Sequence, residues 1–135
     1  MSMDAQAHNQ EVLLLVDDDK FLLEMYGTKL KEAGKQVEIA FGGEEALRRL
    51  RDGLKPRAII FDIVMPNMDG FEFLETLKKE KLGEGAALIV LSNQGEEADV
   101  KRAQDSGVDG YIVKASAIPS EVLARINEIV AKHHA

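Results

Sequence analysis

Five short apolar runs, Val12 to Val16, Val37 to Phe41, Ala58 to Phe61, Ala87 to Leu91 and Gly110 to Val113, recur along the chain with a stretch of helical spacing after each. Strand and helix in alternation give an α/β domain with a parallel sheet, because each strand needs a crossover to return the chain to the same edge. The helices are read from their apolar spacing. Leu22, Tyr26, Leu30 and Ala33 share a face, and Gly34 stands where it can cap the C-terminal end. Ala46, Leu47 and Leu50 fall within Gly43 to Arg51, and Phe71, Leu74 and Leu77 form a third stripe. Pro119 suits the first turn of a last helix carrying Val122, Ile126, Ile129 and Val130. Between Glu96 and Ser106 the apolar residues are only Ala98, Val100 and Ala103, so this fourth helix should be loosely held. The 135 residues suit one domain, with residues 1–10 a polar, mobile tail and no second or output domain.

Asp62 breaks this apolar pattern. It lies inside the run Ala58 to Pro66, whose other residues read as one buried strand. A carboxylate taken out of water is paired, protonated or metal-bound, since leaving it bare is too costly for a fold to offset. Partners are on offer: Asp17, Asp18 and Asp19 follow the first apolar run, Ser92 the fourth and Lys114 the fifth. In an open parallel sheet the C-terminal ends of the strands share one edge, where ligands bind. Asp17, Asp18 and Asp62 against Lys114 leave a balance of roughly −2, which a hard dication with oxygen ligands relieves. Magnesium fits best, since it accepts a few carboxylates and keeps positions for water or phosphate oxygens. Asp62 is then the best-placed nucleophile for a phosphoryl group, with Lys114 and Ser92 neutralising its charge.

Singly, each residue has an ordinary explanation. Asp19 reads as a helix cap, Ser92 with Asn93 as a turn, Lys114 as a surface lysine, and Asp69-Gly70 as a turn with Gly70 at positive φ. Gly42-Gly43 lacks the spacing of a phosphate loop and reads as a turn. Taken together, an acidic pair, a buried aspartate, a hydroxyl and a lysine at the ends of strands one, three, four and five are hard to obtain by chance.

Composition excludes other classes. With 17 Lys and Arg against 24 Asp and Glu, a net charge of −7 argues against direct nucleic-acid binding. There is no cysteine for a disulfide or thiolate site, and His8, His133 and His134 all lie in terminal segments, away from any central zinc site. No apolar stretch approaches the roughly 20 residues of a membrane helix, and a cytoplasmic protein, monomeric or weakly dimeric, is expected.

From Glu11 to Lys132 the chain resembles the receiver domain of two-component response regulators, of the single-domain chemotaxis type. Leu-Leu-Val-Asp-Asp-Asp at 14 to 19 is similar to the family's acidic pair, Phe-Asp-Ile-Val-Met-Pro-Asn-Met-Asp-Gly at 61 to 70 to its phosphoacceptor strand and loop, and Gly-Tyr-Ile-Val-Lys at 110 to 114 to its lysine strand. The resemblance implies a flavodoxin-like, doubly wound sheet of five parallel strands in order 2-1-3-4-5, with five helices on two faces. It implies that a histidine kinase or histidine phosphotransfer protein phosphorylates Asp62, that Asp17, Asp18 and Asp62 hold Mg2+, and that catalysis beyond self-phosphorylation and autodephosphorylation is absent. Ser92 and Tyr111 become the switch residues. In the family they turn inward on phosphorylation and reshape the surface of the fourth helix, fifth strand and fifth helix for a downstream protein target.

Two positions depart from the family. Asn93 stands where a small residue is usual, and Ala115 replaces the proline after the lysine. A cis bond costs about 2.5 to 4 kcal/mol before a non-proline residue against roughly 0.5 to 1 before proline, so Lys114-Ala115 is expected to be trans. Two rival readings remain: a magnesium-dependent phosphohydrolase of the haloacid dehalogenase type, using Asp17 and Asp19, and a pseudo-receiver that binds a partner without being phosphorylated. Against the first, Phe21 stands where that family has Thr or Val.

Overall fold

Every one of the five apolar runs is a strand. The computed structural model describes residues 11–93, 95–114 and 117–135, so the expected mobile tail and the Lys114-Ala115 bond lie outside the described residues. The elements run β1 (Val12–Asp17), α1 (Lys20–Glu32), β2 (Gln36–Phe41), α2 (Gly43–Arg51), β3 (Ala58–Phe61), α3 (Gly70–Glu80), β4 (Ala87–Ser92), α4 (Glu97–Asp105), β5 (Gly110–Val113) and α5 (Pro119–His133). All strand pairs are parallel, in the order β2-β1-β3-β4-β5 that the resemblance implies. The order reverses between β1 and β3, which opens a crevice at their C-terminal ends.

Period-two alternation divides the core. Leu14, Val16, Ile59, Phe61 and Val90 point to one face, where Leu47, Leu50, Phe73, Leu74 and Ala103 of α2, α3 and α4 cover them. Leu13, Leu15, Ile60, Ile89 and Ile112 point to the other, under Leu23, Tyr26, Leu30, Val122 and Ile126 of α1 and α5. Strands buried on both sides explain why the sequence shows continuous apolar runs.

The first helix differs from its reading by one position. Leu23 is buried with Tyr26, Gly27 and Leu30, whereas Leu22 is half-buried and Ala33 exposed. Asp19 caps this helix by accepting from the Leu22 amide, as expected. Gly34 follows at φ +87°, with the Lys35 amide returning to the Leu30 carbonyl at 3.0 Å. In α4 only Ala103 is buried, so the sparsely anchored helix lies where the sequence places it.

Gly70 corrects the sequence reading. It is the first residue of α3, absent from the positive-φ residues, while Asn67 takes the left-handed conformation at φ 70°. Asp69 caps α3 in a reciprocal box with Glu72, a device worth about 1 kcal/mol. Glycine is required at 70 for space: a Cβ there would sit 2.7 Å from both the Asp62 carbonyl oxygen and the Ile63 Cα. The Gly70 amide also donates to the Ile63 carbonyl at 2.8 Å. Backbone lies on backbone, and neither side can rotate away. Gly70→Ala should therefore cost about 1–3 kcal/mol or more in urea unfolding, despite the better helix propensity of alanine; a variant as stable as the parent would show that the contact is dispensable.

Candidate functional site

The register explains why the polar residues converge. Val16 pairs with Phe61, so Asp17 and Asp62 are the next residues along two adjacent strands. Asp17 and Ser92 are themselves the last residues of β1 and β4. Asp62 lies just beyond β3, not within a longer buried strand: Ile63 and Met65 are buried, but Val64 between them is exposed. Strand pairing ends at Phe61, so this segment is a loop leaving the sheet edge.

Lys114 reaches across this edge from the end of β5. Its Nζ lies 3.1 Å from Asp17 Oδ2 and 3.2 Å from Asp62 Oδ2. The remaining carboxylate oxygens are held by local backbone: Asp17 Oδ1 accepts from the Asp19 amide at 3.0 Å, and Asp62 Oδ1 from the Val64 amide at 3.1 Å. Each aspartate thus bonds the amide two residues on, the turn chemistry this side chain favours. Sequence reasoning missed these two amides, although an aspartate at a strand's end is itself the signal for such a turn.

Burial and charge compete here. Burial pushes Asp17 upward, and the Asp62 charge adds to it; the Asp19 amide and Lys114 oppose but do not cancel the shift. Burial alone would lower the Lys114 ammonium, but the attraction of Asp17 and Asp62 outweighs it and raises it, keeping the lysine charged. Asp18 is exposed at the rim, and one carboxylate oxygen from each of Asp17, Asp18 and Asp62 can be chosen so that all three lie within 4.8 Å of one another. These oxygens, with more negative charge than one lysine offsets, fit a hard dication such as Mg2+. The mouth, about 310 Å3, is also lined by Asp19, Leu22, Val64, Ser92 and Asn93. Asn93 is exposed there, at the rim where its bulk was expected.

The proposed switch pair is also in place. Ser92 is fully buried. Tyr111 is half-buried against the α2–α4 side of the core, its phenol pushed up to about 12 by burial, with repulsion from Asp99 and Asp62 adding and a hydrogen bond with Ser92 partly opposing. Of the residues singled out from sequence, Asp17, Asp18, Asp62, Ser92 and Lys114 line one mouth at this edge, while Tyr111, level with Val90 inside the sheet, connects to it through its hydrogen bond with Ser92. Asp19 stands beside them as the cap of α1.

Comparison with known proteins agrees with this fold. The family description "response regulator receiver domain" matches residues 13–127. The chain is 31% identical over 130 residues to a probable transcriptional regulator, ycf27, of Guillardia theta, covering 96% of this chain and 49% of that protein. It is 32% identical over 120 residues to the alkaline phosphatase synthesis transcriptional regulatory protein PhoP of Bacillus subtilis, covering 89% and 48%. The chain thus spans about half the length of these curated relatives. Among solved structures, the Vibrio cholerae chemotaxis protein CheY4 superposes with a TM-score of 0.79 at 27% identity, covering 87% of this chain and 97% of that one. A CheY-like receiver domain protein from Methanospirillum hungatei gives 0.81 at 28%, covering 92% and 96%.

A sign follows for pH. Because folding raises the Asp17 carboxyl, its contribution to stability is present in acid and lost as pH rises through the raised value. A dication should restore that loss. Magnesium at about a hundredfold over its Kd should add about 2.7 kcal/mol near neutral pH and progressively less toward pH 4, read from unfolding midpoints. Asp18→Ala should shrink the gain; an undiminished gain in this variant would remove Asp18 from the ligand set.

Proposed function

Because this chain belongs to the response regulator receiver domains, we propose that it accepts a phosphoryl group on Asp62 from a phosphohistidine of a histidine kinase or phosphotransfer protein. The observation that carries this reading is the Lys114 ammonium bridging Asp17 and Asp62 at one sheet edge. In the proposed step an Asp62 oxygen attacks phosphorus, the P–N bond to the imidazole breaks, and an acyl phosphate forms. Lys114 and the Ser92 hydroxyl would meet the charge on the transferred oxygens. Mg2+ held by Asp17, Asp18 and Asp62 would neutralise further phosphoryl charge. Receiver domains are signalling domains rather than enzymes, and we assign no turnover beyond self-phosphorylation and autodephosphorylation. A haloacid dehalogenase-type phosphohydrolase would need Asp19 as a second catalytic carboxylate, whereas here Asp19 caps α1. Incubation with a small phosphodonor and magnesium should label wild type once and leave Asp62→Asn unlabelled; one stoichiometric phosphate on the variant would overturn the assignment.

The rim supports a protein as donor. Among the described residues the large exposed apolar side chains are Phe21 (80% exposed), Phe41 (47%), Val64 (55%) and Ile118 (59%). All four stand at the C-terminal ends of the strands or in the segments that follow them, and Val64 lines the acidic mouth itself. Exposed apolar side chains on the side of the sheet that carries a charged centre fit a protein surface presenting its phosphohistidine there. Phe21→Ser should slow transfer from the cognate phosphoprotein about tenfold while leaving labelling by a small phosphodonor unchanged. Equal slowing of both would place Phe21 in the chemistry instead.

For the output, the hydrogen bond between Ser92 and Tyr111 links the acceptor edge to the surface of α4, β5 and α5. A phosphoryl group adds about −1.5 to −2 charge and competes for the Ser92 hydroxyl. On this reading α4, with one buried residue and Arg102 resting 3.9 Å over the Phe71 ring, is the element that shifts, and its new surface meets the downstream protein. Ser92→Ala should still accept phosphate but lose the phosphorylation-dependent change in amide exchange at Glu97–Asp105. Equal exchange there in phosphorylated and free wild type would place the output elsewhere.

A further inference from the structure

Two histidines that the phosphoacceptor site does not use are held by specific partners at the opposite edge of the sheet. His133 Nδ1 lies 2.9 Å from Asp109 Oδ1, and its Nε2 lies 3.0 Å from the Gly85 carbonyl oxygen. Both partners can only accept. A neutral imidazole has one N–H and one lone pair, so it satisfies one of them and turns a lone pair on the other; only the imidazolium donates to both. Asp109 is fixed from the far side, its Oδ2 accepting from the Leu88 amide at 2.8 Å and its own amide donating to the Leu88 carbonyl at 2.7 Å. The carboxylate therefore spans the starts of β4 and β5 and cannot swing off. His133 also ends α5, where the helix dipole favours a cation. Next to it, His134 Nε2 lies 2.9 Å from the Arg57 carbonyl oxygen ahead of β3, and the two rings meet edge-on with centroids 4.7 Å apart.

We infer that His133 and Asp109 form a proton-operated clip, which fastens the last turn of α5 to the N-terminal edge of the sheet when both ring nitrogens carry protons and gives up one contact when one proton leaves. The charged groups around it are few. Asp109 faces it from the start of β5, Arg125, Glu128 and Lys132 share its cavity from α5, and His134 adjoins it. The loops before β3 and β4 present the backbone carbonyls of Arg57 and Gly85. Among the described residues only the Asp109 carboxylate bonds the ring as a charge, so the doubly protonated ring matches its surroundings. The clip is complete when both ring nitrogens are protonated and loses a bond when one proton leaves.

Amide exchange, corrected for intrinsic rates and referenced to β1, tests this at about pH 5.5 and about pH 8 in wild type, His133→Gln and Asp109→Asn. Protection at Val130–His134 should fall roughly three- to tenfold in wild type across that interval, the scale of one hydrogen bond to a charged group at a partly exposed site. Both variants should begin at the lower level and stay there. A second readout needs no variant: the wild-type ring should show two hydrogen-bonded N–H protons by NMR in acid and one above neutrality. A wild-type response shared unchanged by both variants, or one ring N–H proton at both pH values, would overturn the clip.

Discussion

One ammonium holds together carboxylates that the fold forces into company. The parallel register brings Asp17 and Asp62 to the same level at the ends of neighbouring strands, with Asp18 beside them. Without Lys114 that edge would carry concentrated negative charge in a part-buried place, where repulsion and desolvation act in the same direction. The lysine comes from β5, two strands away from β3, so the contact ties the sheet across its C-terminal edge. The arrangement is stable but unsatisfied: one positive charge answers more than one negative. This residual imbalance is what makes the site fit a further cationic charge.

Much of this was legible in the sequence because the determinants are local. A strand buried on both faces must be apolar throughout, so the five runs identify themselves, and polar residues at their ends fall on one edge by topology alone. What sequence reasoning misplaced has equally physical causes. In α1 Tyr26 and Leu30 are buried as read, but Leu23 takes the deepest place in the first turn, and Leu22, still packed on the core, also lines the mouth. Gly70 was read as a turn residue because glycine most often signals backbone freedom, but here it signals proximity, which no single sequence displays. The bonds of His133 join residues 24 and 48 positions away and leave no periodic trace.

The three helices that cover one face of the sheet are unequally fastened. On the side of α2 and α3, Leu47, Leu50, Phe73, Leu74 and Leu77 fill the space, Phe61 and Phe73 stack at 5.4 Å, and Arg51 bridges to Glu80. Beside them α4 contributes Ala103 alone to the buried core. Its further hold is Arg102 over Phe71, a contact worth about 0.5–1 kcal/mol at an exposed site. Local stability follows such contacts, so a gradient of mobility runs across the α3–α4 boundary.

The backbone contact at Gly70 sets the mechanical frame for that gradient. With no side chain between them, the start of α3 and the Asp62 loop lie backbone against backbone and share the Gly70–Ile63 hydrogen bond, so neither shifts without pressing on the other. Under the function proposed above, this contact would divide the molecule like a motor into stator and rotor: α3 would be the stationary reference, and α4, with one buried residue, the yielding side. A bulkier residue at 70 would then do more than weaken the fold: it would loosen the stator, and displacement meant for one side would be dissipated on both.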